Sequence, residues 1–211
     1  MHASQDREQL KRLLAQLSVR TGEFVLVSGK RSSVYVDAKL TTCRAAAMPL
    51  IGRLFLDRIA QSGWQPAAVG GLTMGADPIC LSIARESLER GMEINCFLVR
   101  KESKKHGTMK FIEGLAPDSH IDVVIIDDVC TSGGSTKIAI RHAREAGLRV
   151  LGALCLVDRE EGARESIESE LDCPFTAIFT LSELTELLES PEAQAPRQYP
   201  ARAASTVPPQ S

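Results

Sequence analysis

Four consecutive apolar residues, Val123 to Ile126, run straight into Asp127 and Asp128, then an apolar pair, then Thr131-Ser-Gly-Gly-Ser-Thr136. A run without polar alternation reads as a strand covered on both faces, the signature of a parallel sheet with helices above and below. The small residues after it let backbone N–H groups close around an anion, and the apolar-periodic run from Ser135 predicts a helix. A strand end, a nest of amides and a positive helix terminus thus meet at one point. Phosphate suits the amides, whereas the two carboxylates repel it and need hydrogen-bond donors. A ribose 5-phosphate meets both demands, with hydroxyls on the acids and phosphate on the loop. The plainer reading of the acids alone is a pair of exposed carboxylates capping the next turn.

The rest of the chain supports this class. Leu10, Leu13, Leu14 and Leu17 share one face of a predicted helix over residues 5–19. Residues 24–27 and 33–37 read as two short strands joined by a turn at Gly29. A helix over 45–62 ends at Gly63, and alternation then sets in. Strands are expected at 67–72, 94–99, 123–126, 150–157 and 175–179, and helices at 78–89, 135–146 and 182–189. This is an α/β pattern: a central, mostly parallel sheet flanked by helices, with a small N-terminal hairpin set apart. Ligands of such sheets gather at the carboxyl ends of the strands, where Asp127 and Asp128 fall. Residues 1–190 form the expected domain, and the Pro- and Ala-rich stretch 191–211 is expected to be disordered.

With 211 residues and 44% hydrophobic content, the chain can bury a real core. A net charge of -2 argues against a dedicated nucleic-acid binder. Residues 1–20 carry charges throughout, and no stretch is long and apolar enough for a membrane span, so a cytoplasmic location is expected. Six cysteines without a C-x-x-C pair read as reduced thiols, most of them in the core, rather than metal ligands or disulfides. No Walker loop and no G-x-G-x-x-G follows any strand, which removes the usual signatures of triphosphate hydrolysis and nicotinamide chemistry.

A second constellation follows the strand at 94–99. Arg100, Lys101, Lys104, Lys105 and His106 lie within seven positions, and 108–114 offers little apolar material to pin them down. One reading is a solvated charge run; the other is a mobile basic lid over a polyanionic substrate. Lys104 and His106, two apart, would point the same way in an extended segment.

Three pieces of the chain resemble the orotate phosphoribosyltransferases of bacterial pyrimidine synthesis: Phe24 to Asp37, Arg100 to Gly107, and Val124 to Ser135. The last is shared by all type I phosphoribosyltransferases, and the other two narrow the likeness to orotate. Leu156 to Arg159 also matches. The resemblance implies the type I phosphoribosyltransferase fold, with a hood contributed by about residues 20–40. It implies transfer of the phosphoribosyl group from phosphoribosyl pyrophosphate to orotate, with Mg2+ as cofactor. It casts Lys104, His106, Asp127 and Asp128 as catalytic. It gives phosphoribosyl pyrophosphate to Arg100, Lys101, Lys104, His106, Asp127, Asp128 and the loop Val129, Cys130, Thr131, Ser132, Gly133, Gly134 and Ser135. Orotate falls to Thr131 and Arg159, and no residue ligates the metal directly, substrate and water holding it. Lys30, Arg31 and Tyr35 become part of the hood, and a homodimer sharing the basic lid is implied. Val27 and Met74 depart from the family, which often carries lysine at both places; Lys30 and Lys105 are the nearest substitutes. The rivals are a phosphoribosyltransferase for another base and a non-catalytic regulator that binds phosphoribosyl pyrophosphate.

Overall fold

The computed structural model describes residues 2–25, 31–102, 111–116 and 120–189. The chain opens with α1 (His2–Leu17), whose Leu10 and Leu14 are fully buried, and continues into a hairpin of β1 (Val19–Val25) and β2 (Arg31–Val36). The two strands pair antiparallel with a bulge between Thr21 and Phe24. The short α2 (Lys39–Thr42) and α3 (Met48–Gln61) lead to β3 (Ala68–Leu72), α4 (Asp77–Glu89) and β4 (Asn95–Val99). Then come β5 (Ile112–Glu113), β6 (Asp122–Cys130), α5 (Gly134–Glu145), β7 (Arg149–Asp158), α6 (Ala163–Leu171), β8 (Phe175–Thr180) and α7 (Leu181–Glu189).

Six strands form the main sheet in the order β5-β4-β3-β6-β7-β8, all parallel except β5, which runs antiparallel to β4. The expected mostly parallel sheet with a separate hairpin is what the chain forms. β6 is the clearest case of two-sided burial. Val124 and Ile126 sit in the apolar cluster shared with α1, α3 and α4, while Val123 and Ile125 sit in the opposite cluster with Ala139, Ile140 and Ala143 of α5. Each such side chain contributes about 2 kcal/mol by leaving water, so a polar residue at any of the four would open one core or the other. The strand order reverses direction at β3 and β6: β4 lies outside β3, whereas β7 and β8 build outward from β6. The crevice beyond this switch point is where the sheet offers room for a ligand.

Four expectations need correction. β6 does not stop at Ile126; it pairs with β7 as far as Cys130, so both acids lie within the strand. The hairpin strands begin earlier than expected, at Val19 and Arg31, because pairing with β2 starts at Val19, with one residue between it and α1; residues 26–30, with the expected turn at Gly29, lie outside the described residues. Helices α2 and α6 were not foreseen. α6 buries only Ala163 and Ile167, too few apolar residues for a periodic signal. Finally, residues 111–113, beyond the basic segment, are not loosely held: Ile112 is buried, β5 pairs with β4, and the Phe111 ring stacks on His142 of α5 at 3.7 Å between centroids. The tail at 191–211, like most of the basic segment, lies outside the described residues.

Candidate active site

Asp127 and Asp128 are neighbours in sequence and opposite in environment. Successive strand residues face opposite sides. Asp127 turns inward, 6% exposed, and accepts the Thr136 hydroxyl at 2.5 Å and the Asp128 N–H at 3.0 Å. Thr136 belongs to the first turn of α5, so this bond ties the strand end to the helix terminus. Its hydroxyl is in turn 3.2 Å from Cys130 Sγ; with the threonine proton spent on Asp127, the thiol is the donor. Cys130 is buried in this relay, leaving only its backbone for the loop. Asp128 is only half-buried and is the more accessible of the two acids.

Burial, and after it the charge of Asp128, push the Asp127 carboxyl from 3.8 up to about 7. An unfolded chain releases that proton near the ordinary aspartate value, so between the two values the native state holds a proton the unfolded state has lost. This raised value therefore stabilises the fold at low pH, and the contribution is lost as pH rises through about 7. Urea midpoints should fall between about pH 5 and about pH 8, and the isosteric Asp127→Asn should flatten that decline. Equal slopes for both chains would mean that Asp127 is ionised throughout.

The loop beyond β6 is shaped for an anion. Gly133 caps α5 in the left-handed region at φ 79°, and a Cβ there would come within 2.9 Å of Ile167 on α6. Glycine is needed for both the dihedral and the space. Ser132, Gly134 and Ser135 are exposed, so the N–H groups of the first turn, which have no partner within a helix, open toward solvent. Thr131 is half-buried beside them.

On the β3 side of the crevice, Gly75 lets the turn approach Asp128 so closely that a Cβ would stand 2.3 Å from Oδ1. Asp77, at the start of α4, feels the charge of Asp128; burial first and that charge second raise its carboxyl. Its Oδ1 is buried with no hydrogen-bond partner among the described residues. Met74 projects into solvent, 76% exposed. Lys39 of α2 was not foreseen at the site. Its Nζ pairs with Asp37 at 2.9 Å and stands 3.9 Å from Asp128 Oδ2, and its pKa is raised by the Asp37 hydrogen bond first. Nothing in local sequence marks Lys39; only α2 brings it back over the sheet.

Arg159 follows β7. Its N–H donates to Cys130 O at 2.9 Å, which sets the residue next to the β6 end, and its guanidinium reaches the hairpin, donating to Ser32 Oγ and Val34 O at 3.3 and 3.4 Å. Ser32 also lines a cavity of about 380 Å3 with Phe24 and Arg31. Tyr35 is 42% exposed and its ring lies 5.5 Å from that of Phe24. The structure therefore brings Asp128, the α5 terminus and Arg159 to one edge of the sheet. Arg100 is drawn back onto Glu113 at 3.3 Å and Lys101 is exposed at the same edge. Lys30, Lys104, Lys105 and His106 lie outside the described residues.

Residues 44–182 match the phosphoribosyl transferase domain family, and a switch-point crevice with an acidic strand end and a glycine-capped helix terminus is in keeping with a phosphoribosyltransferase. The orotate phosphoribosyltransferase of Aquifex aeolicus is 43% identical over 182 residues, 85% of this chain and 97% of the relative. Among solved structures, the orotate phosphoribosyltransferase of Mycobacterium tuberculosis in complex with Fe(III) dicitrate superposes with a TM-score of 0.75 at 36% identity, covering 85% of this chain and 98% of the other. The same enzyme in complex with 5-phospho-alpha-D-ribosyl 1-diphosphate gives 0.71 at 33% identity, covering 85% and 99%. The chain belongs to the orotate phosphoribosyltransferase family.

Proposed function

We propose that the chain transfers the phosphoribosyl group of phosphoribosyl pyrophosphate to orotate, giving orotidine 5'-monophosphate and pyrophosphate in pyrimidine synthesis. The observation that carries the reading is the meeting of Asp128, the α5 terminus and the buried Arg159 at one sheet edge, in a chain whose relatives are orotate phosphoribosyltransferases. The relative from Mycobacterium tuberculosis, solved with phosphoribosyl pyrophosphate, supports the choice of donor.

Each group has work that follows from charge. Breaking the bond at ribose C1′ builds positive charge on the sugar and negative charge on the departing pyrophosphate. The N–H groups of residues 131–135 hold the 5-phosphate. Asp128 takes the ribose hydroxyls and faces the developing positive charge; Asp127, tied to Thr136, holds strand and helix in register. The Arg159 fork suits a planar base bearing a carboxylate. Arg100, Lys101, Lys104 and His106 serve the pyrophosphate, His106 as proton donor. Mg2+ fits the donor set: Asp128 and the Asp77 oxygen that has no partner among the described residues are carboxylates suited to a cation that keeps most of its waters. When bound it neutralises pyrophosphate oxygens.

The working unit is a homodimer in the cytoplasm, with the basic segment serving the neighbouring site. Leu81 and Leu88, 56% and 61% exposed on α4, are apolar surface that a second copy would cover. Six free thiols suit a reducing compartment. Pyrophosphate release on mixing the protein with magnesium, phosphoribosyl pyrophosphate and orotate tests the reaction. Release that is the same without orotate would mean hydrolysis of the donor and would overturn the reading.

A further inference from the structure

The turn after β7 is more constrained than a simple connection to α6 requires. Glu160 sits at φ 61°, a left-handed conformation that a non-glycine residue keeps only where its surroundings impose it. Two anchors do so. Its N–H donates to Asp158 Oδ1 at 2.9 Å, and its carboxylate accepts the Ser182 N–H at 3.0 Å together with the Ser182 hydroxyl, at the start of α7. The chain therefore doubles back, and Glu161 Oε1 accepts from Arg159 Nε at 2.9 Å across only two residues.

The Arg159 side chain is 6% exposed, so its cation has been taken out of water, and Glu161, 31% exposed, is the carboxylate that meets it among the described residues. A guanidinium has five N–H groups. Three are used, by Glu161 at Nε and by Val34 O and Ser32 Oγ on the terminal nitrogens; two remain among the described residues. Glu161 thus grips the stem side of the fork and leaves terminal donors for a ligand. The bonds to the hairpin are long, 3.3 and 3.4 Å, so the grip at Nε is the firmest of the three.

We propose that Glu161 is a positioning residue for base recognition: held by the Glu160 turn, it fixes the plane of the Arg159 guanidinium so that the remaining N–H groups meet the carboxylate of the incoming base. The inference rests on the assignment of orotate above. It separates Glu161 from a surface acid that merely balances charge, because an oxygen acceptor at Nε fixes the guanidinium plane in addition to any charge it carries.

Steady-state kinetics of the full chain as Glu161→Ala and Glu161→Gln, with each substrate varied in turn and a thermal melt of each variant, distinguishes the possibilities. Losing the grip should raise the KM for orotate about tenfold, the scale of one charge-assisted hydrogen bond, with kcat and the KM for phosphoribosyl pyrophosphate within about twofold. Glutamine keeps an oxygen acceptor for Nε but loses the charge, so it should recover most of the orotate KM lost in Glu161→Ala. An unchanged orotate KM in Glu161→Ala overturns the proposal. So does a parallel rise in both KM values with a lowered melting temperature, or a Glu161→Gln variant as impaired as Glu161→Ala. If the unsubstituted chain makes no nucleotide from orotate, the base assignment fails and takes this inference with it; turnover of orotate with a flat response to Glu161→Ala sinks the inference alone.

Discussion

Asp128→Asn should lower kcat/KM for phosphoribosyl pyrophosphate by about 100-fold or more, the scale on which removing one preorganised electrostatic group slows an enzyme. The expectation follows from the division of labour between the two acids. Asp127 is committed to Thr136 and to the Asp128 N–H and is nearly out of solvent. Among the described residues, the Asp128 carboxylate accepts the N–H of Val129 at 3.0 Å and stands 3.9 Å from Lys39, and Gly75 leaves room for it on the β3 side. Asparagine keeps the shape and the local bond and loses the charge. The fold should therefore survive, with a melting temperature close to that of the unsubstituted chain. A variant that keeps its activity would show that the ribose and its developing charge are met elsewhere; a variant that unfolds would show that Asp128 is structural.

Gly133→Val should damage both stability and phosphate binding. The residue needs φ 79°, and the new Cβ would stand 2.9 Å from Ile167 Cγ1. Left-handed backbone strain and overpacking each cost on the order of 1–3 kcal/mol, so a melting temperature lower by roughly 10 °C is expected. If α5 shifts to relieve the clash, its amides leave the phosphate, and the KM for phosphoribosyl pyrophosphate should rise while that for orotate moves little. A rise confined to orotate would place the phosphate away from this loop.

Much of the fold and of the site is legible in the sequence. The run Val123 to Ile126 announced burial on both faces, and its four residues do divide between two cores. The glycine pair at the start of α5 marked the anion loop, because no other residue serves at a left-handed helix cap that also abuts a neighbouring helix. Arg159 was placed by resemblance, and its backbone does lie beside the end of β6. Other parts were not legible for physical reasons. Helix α6 buries only two residues, so its periodicity is almost silent, yet it is the surface against which Gly133 is fitted. The different roles of Asp127 and Asp128 depend on which face of the strand each occupies, and that followed only once β6 was seen to run on to Cys130. Lys39 and Glu161 reach the site through a short helix and a strained turn, features that neither composition nor spacing encodes.

The identity of the accepted base decides the function. The direct test is a competition: the protein with magnesium and phosphoribosyl pyrophosphate in one mixture with orotate, uracil, adenine and hypoxanthine, the nucleotide products then being separated and identified. Orotidine 5'-monophosphate should be the dominant product: the relatives are orotate phosphoribosyltransferases, and orotate alone of the four bases carries the carboxylate proposed to meet the two Arg159 N–H groups that remain among the described residues. Formation of uridine, adenosine or inosine monophosphate in its place would contradict the account.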